Sequence, residues 1–187
     1  MQKYQRITSI ELKVRLNLIK EFLDEFVSAI NNDFKKFHLK SYDYHDNIAK
    51  FSNYYLRLLL FSELPENKKT SLSELFVVVD KMIDKVRHTS ERINEMKKIT
   101  SKIKKYIKEI FGFFIEEFDA VLKKNYSLKE LDALIKKRYA VVKKINSEKF
   151  TDAEIKVISE CKILLDTIND FCETYAALNI EKYVGGQ

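Results

Sequence analysis

A chain of 187 residues, 45% hydrophobic and 33% charged, is long enough to bury a substantial apolar interior and too evenly mixed to be a disordered tail. Its three Gly and one Pro are too few for the tight turns of a sheet protein, and no apolar run reaches the roughly 18 residues that cross a bilayer. The net charge of +6 and pI of about 9.1 permit attraction to nucleic acid or an anionic surface without requiring either.

Residues 1–187 therefore read as a single all-α domain, and its helix starts are marked by one repeated pattern. Thr8-x-x-Glu11, Ser71-x-x-Glu74, Ser127-x-x-Glu130 and Thr151-x-x-Glu154 each offer a hydroxyl for the third amide of a helix and a carboxylate for the cap residue's own amide. The first helix is expected over about 9–37, with Ile19, Phe22, Leu23, Phe26, Ile30, Phe34 and Phe37 stepping by three or four onto one face. A second, about 42–62, carries Ile48, Phe51, Tyr55, Leu58 and Leu59 and stops at Leu64-Pro65. The third starts at Ser71 and presents Leu75, Val78, Val79, Met82, Ile83, Val86, Ile93 and Met96. No strong breaker divides it from a fourth bearing Ile103, Tyr106, Ile107, Ile110, Phe114, Phe118, Val121 and Leu122. A continuous rod over 71–124 would reach about 80 Å and link two packing units, unless it breaks near Lys98 to Ser101. Helices five (about 127–147) and six (about 151–179) form an antiparallel pair across a short connection.

A slide of about eighty residues lays Ser71-x-x-Glu74 on Thr151-x-x-Glu154. It divides the six helices into two repeats of three, about 8–98 and about 99–180. Cys161 and Cys172, about 16 Å apart along one helix, are too distant for a disulfide and read as small core residues. The start lacks the apolar segment of a signal peptide, which points to the cytoplasm.

Candidate chemistry is concentrated on helix three. Asp80, Asp84, His88, Glu91 and Glu95 recur every three or four residues, forming one stripe that faces away from the apolar side. Carboxylates and an imidazole on one flank can ligate a hard or borderline divalent ion if a neighbouring helix adds oxygens. Helix six repeats the theme in Asp166, Asp170 and Glu173, while His45-Asp46 is placed at the start of helix two. Inward Glu-x-x-His pairs of the di-iron kind are not present; His88-x-x-Glu91 has the reverse order and points outward.

The chain has no nucleophile elbow and no Gly-rich phosphate loop, so the expectation is not an enzyme. Lysine clusters, Lys97, Lys98, Lys102, Lys104, Lys105 and Lys108, then Lys136, Lys137, Arg138, Lys143 and Lys144, suit a phosphate backbone, which gives nucleic-acid binding as the alternative function. Gly185-Gly186-Gln187 echoes the tripeptide of peptide-release factors but lies at a chain end.

Val79-Asp80-Lys81-Met82-Ile83-Asp84-Lys85-Val86, after Leu64-Pro65, resembles the third helix of PhoU-like proteins, and Leu165-Asp166-Thr167-Ile168-Asn169-Asp170-Phe171 resembles its counterpart in helix six. The resemblance implies a six-helix bundle of two three-helix repeats and a non-enzymatic regulatory or adaptor role in phosphate uptake. It also implies a membrane phosphate transporter or sensor as partner and a homodimer. The Asp-x-x-x-Asp pairs would hold iron, zinc or nickel through Asp80, Asp84, His88, Glu91, Asp166 and Asp170, joined by Asp46. Two departures stand out: Lys50 takes the place of the second acid in Asp46-Asn47-Ile48-Ala49-Lys50, and helix five has no acidic pair around Ile135 to Tyr139.

Overall fold

The computed structural model describes residues 17–122 and 127–178, and within them all regular structure is helical. We number the helices α1 (residues 17–29), α2 (Phe34–Leu60), α3 (Glu66–Asn94), α4 (Ser101–Leu122), α5 (Leu128–Asn146) and α6 (Asp152–Leu178). None is long and apolar enough to cross a membrane. Thr8-x-x-Glu11 and Gly185-Gly186-Gln187 lie outside the described residues.

Three boundaries differ from the sequence expectation, each for a local reason. The expected helix over 9–37 breaks at residues 30–33, where Asp33 accepts from the Lys36 amide (3.1 Å) and opens α2 eight residues early. The apolar steps conceal this break because both helices bury them in one core: the Phe26 ring meets Phe34 at 5.8 Å and Phe37 at 5.2 Å across the turn. His45 consequently sits in the middle of α2, not at its start. Helix α3 begins at Glu66 behind Pro65, whose carbonyl accepts from Lys68 (2.9 Å) and Lys69 (3.0 Å). Ser71 is already helical, its hydroxyl donating back to the Asn67 carbonyl at 3.1 Å, so Ser71-x-x-Glu74 is not a cap. Finally, α3 and α4 are separate helices, divided by residues 95–100, and no long rod links two units.

The other two boxes form as expected. Ser127 and Glu130 cap α5 reciprocally. Glu154 does the same for Thr151, accepting from its amide at 2.9 Å, and its other carboxylate oxygen accepts from the Thr100 hydroxyl at 2.6 Å. Thr100 in turn receives the Ile103 amide (3.2 Å), so one buried carboxylate closes the starts of both α4 and α6. These helices consequently leave the same point in parallel, and Phe118 stacks on Phe171 at 5.0 Å further along them.

Helix α3 runs antiparallel to α6, with Lys85 beside Glu160 (3.5 Å), and packs along α2 on its other side. Helix α1 lies antiparallel on α4, joined by Lys20–Asp119 (2.6 Å) and a Phe26–Phe111 stack at 4.1 Å. Aromatic contacts continue through Phe111, Phe114, Phe118 and Phe171, so one ring-lined core connects α1, α2, α4 and α6. A smaller cluster, Tyr55, Leu59 and Phe76, closes the far end of the α2–α3 hairpin. Helix α5 packs mainly on α4 and only slightly on α6. The two three-helix sets are therefore not packed alike, since α2 is broadly seated on α3 while its counterpart α5 barely meets α6.

The Thr100 and Thr151 bonds hold the Glu154 carboxyl below the usual range. Its stabilisation is complete above the ordinary glutamate pKa and disappears as pH falls through the lowered one. Glu154→Ala is expected to cost about 2 kcal/mol at pH 7 by removing a cap from each helix, and progressively less in acid. Urea unfolding midpoints report the difference; identical midpoints at neutral pH would disprove the tie.

Candidate functional site

The antiparallel α2–α3 pair brings residues 38–46 alongside residues 84–91. All three histidines of the chain, His38, His45 and His88, lie on this face. On α2, His38, Tyr42 and His45 follow helical spacing on one flank; on α3, Asp84, Arg87, His88 and Glu91 do the same.

Asp84 is the hub. Arg87 Nη2 donates to its Oδ1 at 2.6 Å, His88 Nε2 lies 3.2 Å from its Oδ2, and His45 Nε2 approaches Oδ1 to 3.7 Å. Glu91 is the second acceptor: Arg87 Nη1 donates to it at 2.5 Å, the Tyr42 hydroxyl at 3.0 Å, and His88 Nδ1 is 2.9 Å from its other oxygen. Asp46 joins through His45 Nδ1 at 3.2 Å, and the Arg87 guanidinium lies 5.8 Å from the Tyr42 ring centre. His38 Nδ1 meets the Ser90 hydroxyl at 3.0 Å.

Burial disfavours charge on Asp84 and Glu91, but it is outweighed: bonds from Arg87 to the first, and from His88 and Tyr42 to the second, hold both carboxyls below the usual range. The Glu91 bond in turn raises the Tyr42 phenol.

Of the residues the sequence singled out, the fold thus unites Asp84, His88 and Glu91 with Asp46. Asp80 is half-buried one turn earlier on α3, and Glu95 pairs with Arg92 at 3.0 Å. Asp166 and Asp170 are exposed on α6, where Asp166 is 3.4 Å from Arg138 Nη1 of α5. Tyr42, Arg87 and His38 were missed. Misplacing the start of α2 hid the His38-x-x-x-Tyr42-x-x-His45 flank, although that spacing was present to be read.

Two imidazoles and a carboxylate suit a borderline divalent ion chemically. Among the described residues, however, no three His, Cys, Asp or Glu side chains are arranged to hold a metal. The position between Asp84 and Glu91 is held by the Arg87 guanidinium, a cation supplied by the chain itself.

A second titratable site lies inside the bundle. Glu117 of α4 is fully buried, and neither carboxyl oxygen has a hydrogen-bond partner. Burial pushes its pKa up to about 7, with the charge of Arg138 pulling the other way only in part. Arg138 spends one nitrogen on the Leu165 carbonyl and Asp166, both at 3.4 Å, while its Nε is buried without a partner. Sequence spacing already placed Glu117 with Ile110, Phe114 and Phe118, yet it was not recognised as an interior acid. Cys161 and Cys172 are buried and free; burial raises both thiols, Cys161 to about 12, so neither is a nucleophile at neutral pH.

The lysine clusters are interleaved with carboxylates. Lys144 pairs with Glu109 at 2.6 Å, Lys137 with Glu116, and Lys102 with Glu148 at 3.1 Å.

Because Glu117 titrates higher in the folded chain than in the unfolded one, it imposes no penalty below the ordinary glutamate pKa. The penalty grows between about pH 4.5 and 7 and is constant above. Glu117→Gln is expected to raise stability by up to about 3 kcal/mol at pH 8 and by nothing at pH 4. Chemical denaturation at the two pH values measures this, and a gain that does not depend on pH would refute it.

Compared with known proteins, the chain matches no family model, no curated protein sequence and no solved structure.

Proposed function

We propose that this chain is a non-enzymatic regulatory or adaptor protein of PhoU-like type, a cytoplasmic homodimer that acts with a membrane phosphate transporter or sensor in phosphate uptake. The supporting observation is the position of its two Asp-x-x-x-Asp pairs. Asp80 and Asp84 lie half-buried on α3, where Asp84 meets α2, and Asp166 and Asp170 are exposed on α6, the two helices packed together through the middle of the bundle. The α6 pair is available to another macromolecule without disturbing the core. The α2–α3 face adds a rigid, mixed-charge surface whose groups are locked by mutual hydrogen bonds.

The metal implied by the resemblance, iron, zinc or nickel, fits this face only in competition with Arg87. As arranged, the face does not fit a multinuclear cluster, because the carboxylates that would bridge the ions are already bound by Arg87. His45, Asp84 and His88 are the donors a single ion would recruit once the guanidinium is displaced. Nucleic-acid binding has less support than the lysine clusters suggest, since Glu109, Glu116 and Glu148 interrupt any continuous basic track.

Two measurements examine this reading. Removing the gene is expected to change accumulation of radiolabelled inorganic phosphate, and affinity capture of the full chain to recover a phosphate transporter or sensor. Unchanged uptake together with capture of neither would remove the proposal. For the metal, Arg87→Met is expected to bind zinc at least tenfold more tightly than the native chain in calorimetric titration, and adding Asp84→Ala to abolish the gain. Equal zinc affinity of native and Arg87→Met protein would show that the guanidinium is not the competitor.

A further inference from the structure

Two core positions of the bundle are given to charged residues that do not bond to each other. On α4, Glu117 is fully buried on the same helix as Ile110, Phe114 and Phe118. On α5, Leu134, Val141 and Ile145 form the buried row, and Arg138 takes the place between Leu134 and Val141, its side chain only 12% exposed. Neither carboxyl oxygen of Glu117 has a hydrogen-bond partner, and the Arg138 Nε is buried without one. The guanidinium turns instead to α6, where Nη1 reaches the Leu165 carbonyl and Asp166 Oδ1, both at 3.4 Å. A charged donor usually closes to about 2.7 to 2.9 Å, so both contacts are weak, and the Asp166 side chain is 77% exposed.

Arg138 thus stands between two acids, and the charge of Glu117 decides which of them holds it. A neutral Glu117 makes little demand, and the guanidinium stays with α6. An ionised one, buried with both oxygens unbonded, costs far more than the loss of an exposed ion pair. The remaining ionisable groups do not substitute for Arg138. Glu116, next on α4, has the same sign as Glu117 and is bound to Lys137 of α5, while Lys20 of α1 is held by Asp119. On α6, Cys172 feels the charges of Glu117 and Glu173, and burial keeps its thiol protonated.

We propose that Glu117 and Arg138 form a proton-controlled latch: a protonated Glu117 leaves Arg138 fastened to Leu165 and Asp166 of α6, and loss of that proton draws the guanidinium across to α4. Helix α5 already packs mainly on α4, and Asn146 still ties it to Lys162 of α6 at 2.8 Å, so one side chain can change partner while the ring-lined core stays in place. Burial sets the range, because a carboxyl pushed up to about 7 is protonated below neutral pH and charged above it. In the charged state Asp166 loses the cation that α5 supplied, and the exposed flank it shares with Asp170 becomes more negative. The latch is a property of the bundle and does not depend on a role in phosphate uptake.

The test follows the Arg138 Nε–H resonance of the isotope-labelled full chain by NMR from about pH 5 to about pH 9, two units either side of the midpoint, with Arg138→Lys to assign it. The native signal is expected to move in one step near pH 7. Its proton is expected to exchange roughly tenfold more slowly above the step than below it, relative to an exposed arginine at the same pH. In Glu117→Gln, which cannot ionise, the signal is expected to keep its low-pH position throughout. Asp166→Asn, at an exposed position, removes the competing acid and is expected to lower the midpoint. A native signal that stays flat, a step that persists in Glu117→Gln, or a midpoint that Asp166→Asn leaves unchanged or raises would overturn the latch. None of these signals reads phosphate accumulation, so this inference and the uptake reading can fail separately.

Discussion

A single carboxylate organises the second half of this molecule. Glu154 is bound on one side by the cap of its own helix and on the other by Thr100, the residue that opens α4. Helix starts leave amides without partners, and burying two starts against each other is tolerable only if those amides are satisfied. Linking them through one side chain makes α4 and α6 parallel neighbours. A short connection then returns α5 antiparallel, against α4 more than α6. The direction of α4 next fixes which of its flanks meets α1, where Phe26 and Lys20 contact it, and which remains for α5.

The bundle contains two polar arrangements with opposite energetics. Across α2 and α3, charges are partly exposed and mutually bonded, so the desolvation of Asp84 and Glu91 is outweighed and the face is locked. Between α4 and α5, Glu117 is enclosed with both oxygens unbonded, and Arg138 beside it is only partly satisfied. Satisfied networks specify a structure, whereas an unbonded interior acid weakens the packing around it. The weakened region is where α5 rests.

What could be read from the sequence follows from how local each signal is. The caps at Ser127 and Thr151 depend on residues three apart, and both were legible. Ser71 had the same spacing, but Pro65 provides an earlier start, and a hydroxyl inside a helix simply bonds to the preceding turn. The break at residues 30–33 was masked because one core receives the apolar residues of both helices, leaving only Asn31-Asn32-Asp33 to announce it. On the candidate face, periodicity within α3 revealed Asp84, His88 and Glu91. Their partners Tyr42 and His45 come from another helix, so no spacing rule joins them. Arg87 was overlooked because a stripe of acids draws attention to cations from outside, when the neutralising cation was one turn away in the same stripe.

That placement of Arg87 gives the two flanks of the bundle different relations to their surroundings. On the α2–α3 face, opposite charges lie within hydrogen-bond distance, and a newcomer must break existing bonds before it gains any. Across α4 and α5 the charges are paired too, Lys144 with Glu109 and Lys137 with Glu116, but these pairs are more exposed and replacing one of them changes little. The α2–α3 network is therefore the more costly of the two to open.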